Sequence, residues 1–137
     1  TADRAPILNR LGLLYVRYGL VDKAKDVFSS IVSDAPYYPA LINLGNLATV
    51  RRDYEGALGY YLKADKMKPD SALCAYDIAR TLIALSRLDE AKEFVDVVRR
   101  ANPSLAKELS STGSANQDGT KSADAGQPFA DMRWEQE

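Results

Sequence analysis

Apolar residues recur at three-to-four spacing in six successive stretches, each separated from the next by a short polar turn. Leu8, Leu11, Tyr15 and Tyr18 form the first series, and Ala24, Val27, Phe28 and Ile31 form the second after a break at Gly19. Leu41, Leu44 and Ala48 are followed by Ala57, Tyr61 and Ala64; Ile78, Leu82 and Leu85 are followed by Ala91, Phe94, Val95 and Val98. Spacing of this kind places one apolar stripe along a helix. The pattern predicts three pairs of amphipathic helices, joined at Gly19–Asp22, Arg52–Glu55 and Ser86–Asp89. Asp22, Glu55 and Asp89 open each second helix, where a carboxylate complements the helix dipole. Pro6 and Pro39 suit a first helical turn, where a missing N–H costs nothing.

Three sets of markers share one register. Pro36, Pro69 and Pro103 lie 33 and 34 residues apart, and so do Ala24, Ala57 and Ala91, and Gly12, Gly45 and Ala79. A period of this length signals a repeat architecture in which each helical pair buries its apolar face on its neighbours. The small residues of the last two sets let paired helices approach closely, and Leu11 and Leu44 are expected at the centre of the core. The string Leu8-x2-Leu11-Gly12-x2-Tyr15, Ala24-x3-Phe28, Pro36 resembles the tetratricopeptide repeat (TPR) signature. Leu41-x2-Leu44-Gly45-x2-Ala48, Ala57-x3-Tyr61, Pro69 resembles it nearly as well, and residues 75–103 carry a degenerate copy. The resemblance implies an all-α, right-handed superhelical stack of three helix–turn–helix repeats, at about residues 5–37, 38–71 and 72–105. A short helix over Ser104–Leu109 would cap a domain spanning residues 1–109.

Composition removes several functional classes. The 137 residues include Lys+Arg 18 and Asp+Glu 19, with no histidine and one cysteine. A near-neutral balance argues against a nucleic-acid binder. Lack of histidine excludes His-based acid–base catalysis, triads and zinc sites, so no catalytic residue, metal or cofactor is expected. Cys74 lies among Ala72, Leu73 and Ala75 without a basic neighbour, and reads as a packing thiol. No apolar run nears the ~20 residues of a membrane span. The chain starts at Thr1, which reads as a cut or processed product, and the uncapped first helix reads as one from which a preceding repeat was trimmed. Lack of disulfides suits the cytoplasm, although a processed periplasmic product would read the same.

The resemblance further implies a concave groove, lined by the first helix of each repeat, that holds a segment of a partner protein. By register the lining is Asn9, Leu13, Val16 and Arg17; Ile42, Asn46, Thr49 and Val50; and Leu73, Tyr76, Arg80 and Ile83. One subfamily grips acidic chaperone tails through a clamp of Lys, Asn and Arg. Asn46 and Arg80 match clamp columns, whereas Asn9 and Tyr76 stand at lysine positions and Leu13 at an asparagine position. Asn46 could instead bond backbone, and Arg80 could pair with Asp77 or with a ligand carboxylate. Two functions remain: a peptide-binding adaptor or scaffold, or a self-assembling protein joined through uncapped repeat ends or exchange of its C-terminal segment.

That segment follows a break in composition. Residues 110–127 hold no aromatic or branched apolar side chain and read as a flexible linker. Residues 128–137 then bring Phe129, Met132 and the sole tryptophan, Trp134. With a net charge of −3 for residues 110–137 against +2 for residues 1–109, the segment is expected to dock on the body. Phe129, Met132 and Trp134 would be its anchors, in cis or in trans, with the groove around Tyr76, Arg80 and Ile83 as acceptor.

Overall fold

Seven α-helices account for most of the computed structural model, which describes residues 4–118 and 132–136. They are α1 (Arg4–Arg17), α2 (Val21–Asp34), α3 (Tyr38–Val50), α4 (Tyr54–Met67), α5 (Ala72–Ala84), α6 (Leu88–Ala101) and α7 (Pro103–Asp118). Each packs on its neighbours in the chain, and α7 also lies against α5. The described residues are all-α, in a helical repeat stack. None of their helices is long and apolar enough to cross a membrane.

The three helical pairs turn by one device. Gly19, Arg52 and Ser86 adopt φ values of 73°, 62° and 60°. The following amides donate back to the first helix, Leu20 to Tyr15, Asp53 to Ala48 and Arg87 to Leu82, each at 2.8 Å. The amides of Gly19, Arg52 and Ser86 themselves donate to Val16, Thr49 and Ile83 at 2.9 Å. A left-handed residue with these two bonds closes the helix C-terminus and satisfies its orphan carbonyls. Glycine takes the conformation freely, while Arg52 and Ser86 occupy it at a cost of roughly 1–2 kcal/mol each. Asp53 then caps α4 by accepting from the Gly56 amide at 3.0 Å, as Ser71 caps α5 by accepting from the Cys74 amide at 3.2 Å.

Close approach within a pair explains the glycine markers. A Cβ on Gly12 would stand under 3.0 Å from the Phe28 ring, and one on Gly45 under 3.0 Å from the Tyr61 ring. Both rings are fully buried, as are Ala24 and Ala57, with Ala91 nearly so. Leu44 joins Phe28 and Ile31 of α2 in the cluster between the first two pairs. Cys74 packs in the next cluster, between α4 and α5, and burial pushes its thiol up to about 12, consistent with a packing role.

Two expectations need correction. Leu11, expected in the core, is 37% exposed. Its counterpart Leu44 packs against the preceding helix α2, and α1 has no such predecessor among the described residues. Ile7 and Leu14 are exposed on the same helix, and Tyr18 just after its end. Second, α7 does not end at Leu109 but continues to Asp118, into the stretch assigned to the flexible linker. Once a helix is nucleated, each further residue adds a hydrogen bond, so polar residues can extend it without an apolar face. Residues 119–127, the rest of that stretch, lie outside the described residues.

Candidate functional site

Helix α3 is buried from Tyr38 through Leu47, which leaves its two asparagines little access to water. A buried carboxamide must find partners, and both find the C-terminal segment. Asn43 donates through Nδ2 to the Glu135 carbonyl at 2.8 Å, and its Oδ1 accepts from the Glu135 amide at 2.8 Å. One side chain therefore pairs with both backbone groups of one residue. Asn46 donates to the Arg133 carbonyl at 2.8 Å. Its Oδ1 accepts from the Tyr61 hydroxyl at 2.5 Å, which fixes the direction of its donor.

Asn9 on α1 extends the row. Its Nδ2 donates to the carbonyls of Glu135 at 2.9 Å and Gln136 at 3.2 Å, and its Oδ1 accepts from Asn43 at 3.0 Å. Residues 133–136 thus cross the shared face of α1, α3 and α5, starting near α5 and ending on α1, opposite to the repeat order. Every bond described between the three asparagines and the segment goes to its main chain. These bonds hold the main chain of the segment along the three helices.

The side-chain contacts of Arg133 lie at the α5 end. Arg133 places a guanidinium nitrogen 3.4 Å from Asp77 Oδ1, and its guanidinium carbon 4.9 Å from the centre of the Tyr76 ring. Arg80 shares both partners, at 3.4 Å from the same oxygen and 5.5 Å from the same ring. The Tyr76 hydroxyl donates to Glu108 of α7 at 3.3 Å. Asp77 is only 5% exposed, and burial raises its pKa to about 6 although Arg80 and then Arg133 pull it down; Glu135 pushes it further up.

The groove residues expected from register divide. Asn9, Asn46, Tyr76 and Arg80 converge on the segment or on its ion-pair partner. Leu13 and Arg17 border a cleft beside Gln136. Ile42, by contrast, belongs to the buried core, Val16 is likewise buried, and Ile83 packs between two clusters. Thr49 donates to the Gly45 carbonyl at 3.0 Å and meets Tyr61 at 3.3 Å, so it supports the core. Leu73 reaches Arg133 through its carbonyl, at 3.5 Å. Asn43 and Asp77 were not among the expected groove residues. The signal for both was a polar residue inside an otherwise apolar helix, 34 positions apart.

Trp134 packs against the cluster of the first two helical pairs, and not around Tyr76, Arg80 and Ile83 as expected. Arg133 takes that place, because a buried carboxylate there favours a cation and the indole favours the apolar surface nearer α1. Met132 is half-buried, and Phe129 lies outside the described residues.

Residues 51–110 match a family model described as tetratricopeptide repeat. These residues are tetratricopeptide repeats. A search of curated proteins found no match. The TPR joint at Arg52 and Ser86 recurs at Gly19, and the ring-on-glycine contact of Gly45 recurs at Gly12, so the pair preceding the match is built alike. TPR repeats are in general protein–protein interaction modules, a non-catalytic scaffold fold. Among the described residues no cluster could hold a metal ion.

The Asp77 ion pair makes docking of residues 132–136 depend on pH. Arg133 lowers the pKa of Asp77 more than Glu135 raises it, so protonating Asp77 removes more attraction to the segment than repulsion from it. Docking should therefore weaken as pH falls through about 6, seen as a red shift of Trp134 emission between pH 7.5 and 5. The fold itself has the opposite dependence. Asp77 titrates higher in the folded chain than in an unfolded one, so its contribution to stability grows as pH falls from about 6 towards 4. A red shift in this window with unchanged helical circular dichroism is release, and a flat emission profile would rule out the ion pair as a determinant of docking.

Proposed function

We propose that the shared face of α1, α3 and α5 is a recognition groove for an extended segment of a partner protein, gripped through its backbone by Asn9, Asn43 and Asn46. The observation that carries this reading is the two-point pairing of Asn43 with the amide and carbonyl of Glu135. In an extended chain those two groups of a residue point to the same side, and a carboxamide matches them whatever the side chain. On this reading a partner follows the path of residues 133–136 and must displace them. Arg80, held by Asp77 and Tyr76, shapes the groove and is not a free clamp for a carboxylate.

The test uses the full chain with its own segment weakened by Arg133→Ala and Trp134→Ala. A fluorescent decapeptide with the sequence of residues 128–137 should bind it and raise the anisotropy. Adding Asn43→Ala and Asn46→Ala should weaken binding by about ten- to a hundredfold, the effect of losing two or three hydrogen bonds. Binding that survives both asparagine changes would sink the reading.

Self-association is a second reading with its own observation. Ile7, Leu11 and Leu14 of α1 and Tyr18 of the turn that follows it, spaced four, three and four apart, are 66%, 37%, 46% and 71% exposed. Apolar stripes of this kind favour stacking on a further copy. A 15.1 kDa monomer by light scattering, unchanged up to high concentration, would exclude it.

A further inference from the structure

Resting on the groove reading above, we propose that the groove is selective for arginine followed by a large apolar residue, with Asp77, Tyr76 and the Leu73 carbonyl forming a guanidinium subsite. The partner segment is thus an extended peptide carrying an Arg–aromatic pair, and residues 133–134 of this chain are its internal counterpart.

Three observations meet at this point. Asp77 is a carboxylate almost closed to solvent, and a buried charge needs compensation from close partners. The resident Arg80 supplies one contact, at 3.4 Å to Oδ1. The guest Arg133 supplies another at the same oxygen and the same distance, so the resident cation leaves room for a second. The Tyr76 ring lies 4.9 Å from the guest guanidinium, within the range of cation–π attraction. A planar guanidinium can face a ring while its N–H groups reach an acid and a carbonyl; an ammonium is a compact charge without a stacking face. The next residue faces the other way along an extended strand, and there Trp134 meets the apolar cluster of the first two repeats. The asparagine row sets the register between the two subsites, since Asn46 holds the Arg133 carbonyl and Asn43 holds Glu135.

The same labelled decapeptide and the same Arg133→Ala, Trp134→Ala chain provide the test, with the peptide varied. Replacing its arginine by lysine should weaken binding by about tenfold, and by alanine by more. Trp134→Ala in the peptide should cost at least as much as the lysine change. Asp77→Asn in the chain should weaken the parent peptide and reduce the arginine-to-lysine ratio to about two or three. Retention of the parent helical content by circular dichroism shows that this isosteric variant folds. Equal affinity for the arginine, lysine and alanine peptides would overturn arginine selection and leave the backbone-gripping groove intact. Failure of every peptide to bind would overturn both.

Discussion

Leu44→Ala is expected to cost about 2–5 kcal/mol, the range for truncating a buried leucine in a packed core, while Leu11→Ala should cost no more than about 1 kcal/mol. The two residues hold the same place in successive repeats. Leu44 is 2% exposed and sits with Phe28, Ile31 and Leu47 where α2 meets α3. Leu11 is 37% exposed because no helix precedes α1 among the described residues to cover it. In a repeat stack stability is the sum of the units and the interfaces between neighbours, so a cavity at Leu44 loosens the hold of the first pair on the second. For a domain whose total stability is of order 5–15 kcal/mol, the loss should lower the melting temperature by about 10–20 °C. Paired circular-dichroism melts check it. Equal shifts for the two variants would mean that repeat position, and not the neighbouring helix, sets burial.

That pair of leucines also marks what could be read in the sequence. The markers at Gly12 and Gly45, and the alanines at 24, 57 and 91, reflect contacts within a pair or with the next one, so periodicity alone locates them. Leu11 fails because Leu44 owes its burial to the preceding helix α2, and no helix stands in that place before α1 among the described residues. The extension of α7 past Leu109 was hidden for a related reason: helix propagation along polar residues leaves no apolar stripe to detect. In the groove, Asn9, Asn46, Tyr76 and Arg80 followed from register, but their roles did not. Asn43 and Asp77 lie one position beyond Ile42 and Tyr76, in a column that the register assigned neither to the apolar stripe nor to the groove. The partner of Asn43, the Glu135 backbone, lies 92 residues away in sequence, and that of Asp77, the Arg133 guanidinium, 56 residues away. Net charge pointed to docking of the acidic segment on the body, yet the side chain that enters the buried acidic site is that segment's arginine. Local pairing at one desolvated carboxylate outweighs a screened difference of a few surface charges.

The largest effect on the groove is expected from Asn43→Ala. The change removes the donor to the Glu135 carbonyl and the acceptor of the Glu135 amide, both at 2.8 Å. It also leaves Asn9 Oδ1 without its 3.0 Å donor. At about 0.5–1.5 kcal/mol for each net hydrogen bond, the two lost backbone bonds alone shift the docking equilibrium by roughly ten- to a hundredfold. The helix should tolerate the change, since alanine is the better helix former by about 0.5 kcal/mol or more. Release of residues 132–136 should then appear as a red shift of Trp134 emission and easier quenching by acrylamide, at unchanged helical content. Asn43→Asp separates the carboxamide's hydrogen bonding from its volume. It keeps the shape and the acceptor for the Glu135 amide, but turns the donor into an oxygen that faces the Glu135 carbonyl and Asn9 Oδ1. Two facing acceptors repel, so this variant should release the segment as well. If Trp134 emission stayed at its parent position in both variants, the carboxamide of Asn43 would not be what holds the chain in the groove.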